Sequence, residues 1–197
     1  MHFLLLVFLA YLLGSLPTGL LVARVMGGPD PRQAGSGNVG AANLYRLLGR
    51  KAAAFTLGGD ILKGTVPVAL ALVWLPPQGA WQDTALATVG LAAVLGHIFP
   101  LYLGFRGGKG VATSFGVVAL LCPWAAFNLL IVYIITLTQT RIFSVAALLC
   151  AWLLPMAVGL FSGSKAYIFL AGILSGLILW KHRENLDRLF KGEEPRF

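Results

Sequence analysis

Long apolar runs separated by short polar stretches make up most of this chain. Seven stretches are apolar almost throughout, at residues 3–25, 52–75, 84–103, 111–121, 124–137, 142–161 and 166–180. A helix needs about 20 apolar residues to cross the hydrocarbon core of a bilayer, and four or five of the runs are long enough. The pattern predicts an all-α polytopic membrane protein with about seven transmembrane helices, some of them short or broken. We expect residues 1–197 to form a single domain.

Composition excludes an ordinary soluble domain. Hydrophobic residues make up 58% of the chain and charged residues 11%, against about 25% charged in soluble proteins. No Lys or Arg precedes the first run, so we expect it to remain as a membrane helix and not to be cleaved as a signal peptide. Cys122 and Cys150 lie in or beside apolar runs, and we interpret both as packing residues. The three histidines have no Cys, Asp or Glu cluster around them, so neither a metal nor another cofactor is predicted.

The net charge of +8 is distributed in a way that indicates membrane topology. If the N-terminus lies outside and seven segments alternate, residues 27–51, 105–110, 138–141 and the tail from 181 fall on one side. That side then holds nearly all of the basic residues, which marks it as cytoplasmic. The sequence therefore predicts an external N-terminus and a cytoplasmic C-terminus. Because topology accounts for the positive charge, no nucleic-acid partner is expected.

The fourth run leaves one alternative open. Residues 111–121 would span only about 16 Å as a helix. Joining them to the fifth run as one long span broken at Pro123 would give six segments and move the basic tail to the outside. The charge distribution disfavours that arrangement. We therefore expect a short or broken helix pair that turns near Cys122 and Pro123, because proline removes a backbone donor and ends a helix.

Four polar clusters lie on the predicted cytoplasmic side, each at the end of a helix: G-S-G-N-V-G-A-A-N-L-Y-R at 35–46, R-G-G-K-G at 106–110, R-I-F-S at 141–144 and K-H-R-E-N at 181–185. The first matches G-x-G-x-x-G formally but lacks a βαβ context, and the second lacks the first glycine and the Ser or Thr of a P-loop. Glycines nevertheless let backbone N–H groups approach an oxyanion at the start of a helix. With Arg46 and Lys109 nearby, the two glycine-rich loops predict an anion-binding pocket.

Several polar residues allow both a structural and a functional interpretation. Asp60 and Lys63 are three apart in the second run and can form an ion pair on one helix face. His97 lies near the end of the third run, and either a helix-end hydrogen bond or a role in the site would account for it. We interpret Arg188 and Lys191 as topology charges.

The polar blocks resemble the signature motifs of a known family. The motifs are residues 35–46, D-I-L-K-G at 60–64, G-H-I-F-P-L-Y-L-G-F-R-G-G-K-G-V-A-T at 96–113 and H-R-E-N-L-D-R-L-F-K-G-E-E at 182–194. In this order they are similar to the bacterial integral-membrane glycerol-3-phosphate acyltransferases that use acyl-phosphate, the PlsY family. One departure is Ala42, where the family usually has Thr, so any hydroxyl contact from that position is absent here.

The resemblance implies a reaction and a set of site residues. The reaction is transfer of a fatty acyl group from acyl-phosphate to the sn-1 hydroxyl of glycerol 3-phosphate, giving lysophosphatidic acid and phosphate, at the cytoplasmic face of the bacterial inner membrane, with membrane lipid around the acyl chain and no cofactor. The implied catalytic residues are Ser36, Arg46, Lys109, His182 and Asn185. The implied substrate-binding residues are Gly35, Gly37, Asn38, Gly40, Asn43, His97, Gly107, Gly108, Gly110 and Ser144.

Two further expectations accompany this interpretation. The sequence offers no obvious general base, which leads to the hypothesis that a phosphate oxygen of the substrate takes the proton of the attacking hydroxyl.

The alternative function is a small transporter for an organic anion or a lipid, built from broken helices. A transporter predicts polar groups in both halves of the bilayer, whereas here they crowd at one face.

Overall fold

Helices form the whole framework of the molecule. A computed structural model describes residues 2–77 and 79–197, and within those ranges the chain forms nine α-helices, one short 3₁₀ turn and no strand. The helices are α1 His2–Gly14, α2 Thr18–Val25, α3 Ala41–Trp74, α4 Gly79–Ile98, α5 Val111–Leu121, α6 Pro123–Thr140, α7 Phe143–Phe161, α8 Lys165–Lys181 and α9 Arg183–Phe190, with the 3₁₀ turn at Leu101–Leu103.

Among the residues that the structure describes, five stretches are long and apolar enough to cross a membrane. They are His2–Val25, Ala41–Trp74, Gly79–Leu103, Pro123–Thr140 and Phe143–Phe161. Large apolar side chains such as Phe8, Leu160 and Phe169 are exposed on the outside of the bundle, as expected for a surface that faces lipid. The predicted class, an all-α polytopic membrane protein, is confirmed. The count of seven crossings and the orientation of the termini stay predictions.

The first apolar run is two helices and not the single helix expected from its sequence. α1 ends at Gly14 and α2 begins at Thr18, with Pro17 before it. Proline cannot donate a backbone hydrogen bond, so the carbonyls of the preceding turn lose helical partners. At the break itself, the carbonyl of Leu16 accepts hydrogen bonds from the N–H of Thr18 and from Lys63 Nζ, both at 3.0 Å. The backbone carbonyl at the break is therefore hydrogen-bonded within the bundle, as an interrupted helix in a membrane requires.

Helix α3 begins earlier than the apolar pattern indicated. It starts at Ala41, and its regular backbone is interrupted at Gly49, which has φ 80° and ψ −168°. Glycine adopts a positive φ without the steric penalty of a β-carbon. The kink separates a short segment, residues 41–48, from the long apolar part of α3. That short segment carries Asn43, Tyr45 and Arg46.

Helices α5 and α6 form a hairpin at the position where two alternatives were open. Cys122 between them has a non-helical backbone, and Pro123 is the first residue of α6. The starts of α5 and α7 and the end of α8 all line one cavity, so α5 and α6 run in opposite directions. This confirms the predicted helix pair and excludes one long span from 111 to 137.

Glycines allow the close helix pairs that position the site. A β-carbon on Gly64 of α3 would lie 2.2 Å from the carbonyl oxygen of Thr113, and one on Gly116 of α5 would lie 2.3 Å from that of Ile61. Both distances are too short for any side chain, so α3 and α5 are in backbone contact. Small residues serve the same purpose in many membrane bundles. The contact packs the start of α5 against the middle of α3.

Candidate active site

A large cavity of about 670 Å³ opens at the end of the bundle where the polar clusters meet. Its mouth is polar, and below the mouth it continues as an apolar groove between α3, α5, α6 and α7. The groove is lined by Leu57, Phe115, Val118, Ala126, Leu129, Leu130, Tyr133, Leu137, Ala147, Ala151 and Leu154. Leu57 and Leu130 are exposed, so the groove is open and not sealed within the bundle.

The loop before α3 is organised by the side chain of Asn43. Its Oδ1 accepts a hydrogen bond from the backbone N–H of Ser36 at 2.9 Å, and its Nδ2 donates to three backbone carbonyls, those of Pro31, Ala34 and Asn38. Asn43 is almost completely buried. Because the loop uses both ends of the amide, Asn43 holds the loop in shape and leaves little hydrogen-bonding capacity for a ligand.

The N-terminus of α3 faces the cavity without a capping side chain. Gly40 is the N-cap residue, and Gly40, Ala41 and Ala42 all line the cavity. Asn38 Oδ1 accepts the N–H of Gly40 at 2.9 Å, which turns the chain into the helix. The first N–H groups of a helix have no partner within it and attract anions. Ala42 contributes no hydroxyl here.

Two glycines of the loop before α5 were expected to bind a ligand, but in the structure they pack against the end of α4. The N–H groups of Gly107 and Gly108 donate to the carbonyls of Ile98 and His97 at 3.2 and 3.1 Å. They are therefore not free to bind a ligand. A β-carbon on Gly107 would lie 2.1 Å from the carbonyl oxygen of His97, and one on Gly108 would lie 2.1 Å from His97 Nε2. These glycines are required for close packing against the end of α4.

Gly110 and Lys109 are the members of this loop that reach the cavity. Gly110 has φ 85° and is the N-cap of α5, again without a capping side chain. Lys109 Nζ donates a hydrogen bond to Oδ1 of Asn185. Burial lowers the pKa of Lys109 to about 8, although the nearby carboxylate of Glu194 favours the charged form. The cavity mouth thus holds a second helix N-terminus and a partly buried ammonium group.

Glu194 joins two of the predicted site residues, Ser144 and Asn185, although sequence reasoning did not select it. Its Oε1 accepts hydrogen bonds from Ser144 Oγ at 2.7 Å and Asn185 Nδ2 at 2.5 Å, and its Oε2 accepts one from Arg188 Nε at 2.7 Å. Burial alone would raise the pKa of Glu194, but these hydrogen bonds hold it below its usual range. The sequence feature that could have pointed to Glu194 is its position at the end of the fourth motif, residues 182–194.

The contact with Glu194 corrects the interpretation of Arg188. Its guanidinium forms an ion pair with a carboxylate that is only 7% exposed, so Arg188 belongs to the support of the site and is more than a topology charge. The tail beyond Glu194 also closes over the mouth. The carbonyl of Pro195 accepts a long hydrogen bond from Arg46 Nη2 at 3.5 Å, and the ring of Phe197 packs on Phe143 with centroids 5.0 Å apart.

His182 lies between α8 and α9, and its contacts define which ring nitrogen carries the proton. Nδ1 lies 2.8 Å from the carbonyl oxygen of Ile178. A carbonyl only accepts, so Nδ1 is the protonated nitrogen and Nε2 is left as an acceptor. Burial, and then the charge of Lys109, lower the pKa of His182 to about 4. His182 is therefore neutral at physiological pH, and Nε2 is a weak base.

The structure brings most of the predicted site residues together. Eleven of the residues expected from the sequence line this cavity: Ser36, Asn38, Gly40, Asn43, Arg46, His97, Lys109, Gly110, Ser144, His182 and Asn185. Gly35, Gly37, Gly107 and Gly108 do not line it. Gly35 and Gly37 have φ values of 62° and 70°, so they provide the turns of the loop and not a surface of the cavity. The cavity can hold an anion at its mouth and an apolar chain in its groove.

Comparison with known proteins identifies a family that matches nearly the whole chain. Residues 4–192 match the family described as glycerol-3-phosphate acyltransferase. The chain is 47% identical over 187 residues to the glycerol-3-phosphate acyltransferase of Thioalkalivibrio sulfidiphilus, covering 95% of this chain and 90% of that protein. It is 46% identical to that of Pseudomonas syringae pv. tomato, covering 95% and 94% of the two chains.

Two crystal structures have the same fold. Both are of PlsY (YgiH), an integral membrane glycerol 3-phosphate acyltransferase, in its glycerol 3-phosphate and lysophosphatidic acid forms. The TM-scores are 0.93 and 0.90, with 38% and 37% identity, and each match covers 100% of this chain and 96% of the other. An all-helical bundle, a polar mouth over an apolar groove and these matches along nearly the whole chain lead to one conclusion: the chain belongs to the glycerol-3-phosphate acyltransferase family of integral membrane proteins.

Proposed function

We propose that this protein transfers a fatty acyl group from acyl-phosphate to the sn-1 hydroxyl of glycerol 3-phosphate. The hydroxyl oxygen attacks the carbonyl carbon, the bond from that carbon to the phosphate oxygen breaks, and lysophosphatidic acid and inorganic phosphate are released. The proton of the hydroxyl leaves with a phosphate oxygen. Acyl-phosphate is a mixed anhydride with a good leaving group, so the protein acts mainly by positioning and by stabilising phosphate charge.

The observation that carries this proposal is the combination at the cavity mouth. Two uncapped helix N-termini, those of α3 and α5, face the same space as Lys109 and Arg46. Each substrate carries a phosphate, and helix N-termini and basic side chains are the groups that bind phosphate in proteins. The apolar groove directly below accepts a fatty acyl chain, which favours a donor with one charged and one apolar end.

The donors and acceptors at the mouth divide between the two substrates. Ser36, Asn38 and Arg46 lie on the α3 side, where we place the phosphate of the acyl donor. Lys109 lies between this side and the network of Ser144, Asn185 and Glu194, where we place glycerol 3-phosphate. Ser144 donates a hydrogen bond to Glu194, because a carboxylate only accepts. The free lone pairs of the Ser144 hydroxyl can then accept from a substrate hydroxyl.

His182 orients the attacking hydroxyl in this proposal and does not remove its proton. Nε2 is the acceptor nitrogen, so it is suited to hold a hydroxyl hydrogen. A pKa of about 4 makes it a poor base at neutral pH, since efficient general bases have a pKa near the working pH. A phosphate oxygen of the substrate, whose second pKa is about 6, is the stronger acceptor. This supports proton transfer to the substrate itself.

We place the cavity mouth on the cytoplasmic side of a bacterial inner membrane. The mouth coincides with the basic end of the bundle, which carries Arg46, Lys109 and the tail residues Lys191 and Arg196. Basic residues accumulate on the cytoplasmic side of membrane proteins.

The test is turnover by the purified protein with palmitoyl phosphate and glycerol 3-phosphate, followed by release of inorganic phosphate and formation of lysophosphatidic acid. Palmitoyl-coenzyme A and palmitoyl-acyl carrier protein serve as competing donors in parallel assays. Product formed from palmitoyl phosphate alone supports the proposal. Product formed only from a thioester donor would refute the choice of donor, and movement of phosphate across proteoliposomes without product would favour transport.

A further inference from the structure

A buried cluster of polar residues, two of which line the cavity, has no role in the proposed reaction. The carboxylate of Asp60 in α3 accepts a hydrogen bond from the hydroxyl of Thr18, forms an ion pair with Lys63 Nζ at 2.9 Å, and lies 3.5 Å from His97 Nδ1. Asp60, Lys63 and His97 are all less than 9% exposed. Charged groups inside a membrane bundle are costly and are commonly retained for a function.

One half of the cluster has a structural explanation. Lys63 Nζ also donates to the carbonyl of Leu16 at 3.0 Å, and Thr18 is the first residue of α2. Lys63 and Thr18 therefore satisfy the break between α1 and α2. This does not explain why the carboxylate of Asp60 also faces the imidazole of His97, because the break is already satisfied without that histidine.

The other half of the cluster leads to the loop that carries Lys109. The carbonyl of His97 accepts the N–H of Gly108, and the imidazole lies so close to Gly108 that a β-carbon there would be 2.1 Å from Nε2. Gly108 precedes Lys109 directly. A side chain that fixes the His97 ring therefore also fixes the path of the backbone into Lys109.

We propose that Asp60 is a positioning residue that holds the His97 ring against Gly108 and so places Lys109 for phosphate binding. Asp60 acts through His97 and the loop, and it does not touch the reacting atoms. The inference rests on the proposed function, in which Lys109 binds phosphate. It concerns Asp60 and His97, which have no part in that binding as proposed.

A double-mutant cycle tests the coupling between Asp60 and Lys109. We expect Asp60→Asn to lower kcat/KM about tenfold in the wild-type background and less than about twofold in a Lys109→Met background, because the loop then has no charge left to place. Arg46→Ala is the matched background, since Arg46 lies in the short segment before the kink of α3 and its guanidinium donates to the carbonyl of Pro195, and there Asp60→Asn should retain its full effect. Asp30→Asn, at an exposed carboxylate paired with Arg32, is the control for the chemical change.

Equal losses in the wild-type and Lys109→Met backgrounds would overturn the proposal, as would equal coupling to Lys109 and Arg46. If Asp60→Asn fails to fold, His97→Asn takes its place in the cycle, because it leaves Lys63 and Thr18 in contact with Asp60. Binding of inorganic phosphate, measured by calorimetry on the same variants, needs no turnover. Absence of turnover in the wild type would refute the proposed function, whereas the phosphate-binding cycle would still decide the role of Asp60.

Discussion

The hydroxyl of Ser144 lies 2.7 Å from Oε1 of Glu194, although the two residues are 50 positions apart. Ser144 begins the buried part of α7, and Glu194 belongs to the tail after α9. Both side chains are less than 9% exposed. The same carboxylate oxygen accepts from Asn185, so one residue of the tail orders two side chains of the cavity mouth.

Replacing Glu194 with Gln should therefore disrupt the site. Hydrogen bonds to a charged group contribute about 1.5–3 kcal/mol, so we expect kcat/KM to fall about 10- to 150-fold. Glu193→Gln is the matched control, because Glu193 is the exposed neighbour of Glu194. Assays of both variants under the same conditions make the comparison, and similar activities would show that the carboxylate of Glu194 has no special role.

Removing either basic group of the mouth should weaken phosphate binding. Lys109→Ala and Arg46→Ala each remove a charge-assisted contact of about 1.5–3 kcal/mol, which predicts a loss of about 10- to 150-fold or more in kcat/KM. Lys51→Ala should have little effect, since Lys51 is exposed and does not line the cavity. Steady-state kinetics with both substrates measure these changes, and equal losses at all three positions would place the phosphate site elsewhere.

The charge of Lys109 should limit activity at alkaline pH. Its pKa in the free protein is lowered to about 8, and the charged form, which binds phosphate, predominates below that value. We therefore expect kcat/KM to fall as pH rises through about 8. In Lys109→Arg the fall should move to higher pH, because a guanidinium stays charged throughout. An unchanged alkaline limb in Lys109→Arg would assign the titration to a different group.

His182 should be replaceable by a residue that positions without acting as a base. We expect His182→Asn to retain measurable turnover and His182→Ala to be worse, because a general base contributes about 10²–10⁴-fold whereas a hydrogen-bonding residue can be substituted. Since the pKa of His182 is lowered to about 4, the kcat profile between about pH 5 and 7 should be the same in the Asn variant.

The opposite result would identify His182 as the base. That result is His182→Asn at background activity with substrate binding intact, together with a wild-type profile that shows an essential group near the usual histidine value of about 6.5. Proton transfer to the substrate phosphate would then be wrong.

Thiol labelling tests the predicted topology. In a background with Cys122→Ala and Cys150→Ser, a cysteine at Ser36 or Arg106 should react with an impermeant reagent only from the cytoplasmic side. A cysteine at Gly163 should react only from outside. Arg106 is exposed, and a β-carbon on Gly163 would meet no neighbouring atom, so neither change disturbs packing. Labelling of positions 106 and 163 from the same side would contradict seven crossings.

Local chemistry was sufficient to predict the membrane class and an anion-binding pocket with Arg46 and Lys109, whereas the expected roles of Ser144, His182 and Asn185 came from the resemblance to a known family. Apolar runs of membrane length can satisfy their backbone groups only as helices, so the pattern alone leads to a helical bundle. Glycine-rich loops, Lys109, Arg46 and the H-R-E-N block are short-range motifs, and each can be recognised without knowing what lies beside it. The turn at Cys122 and Pro123 followed from the backbone chemistry of proline.

The tertiary structure decided what depends on neighbours distant in sequence. The break before Pro17 became acceptable because Lys63 reaches the carbonyl of Leu16, a contact across 47 positions that no local pattern encodes. Gly107 and Gly108 looked like ligand-binding glycines, yet their N–H groups are used by the end of α4, since close packing and anion binding require the same residue type. Glu194 and Arg188 looked like ordinary charges of a polar tail. Only the fold of the tail across the start of α7 buries that carboxylate against Ser144 and Asn185, because burial and pairing are properties of the assembled bundle and not of a sequence window.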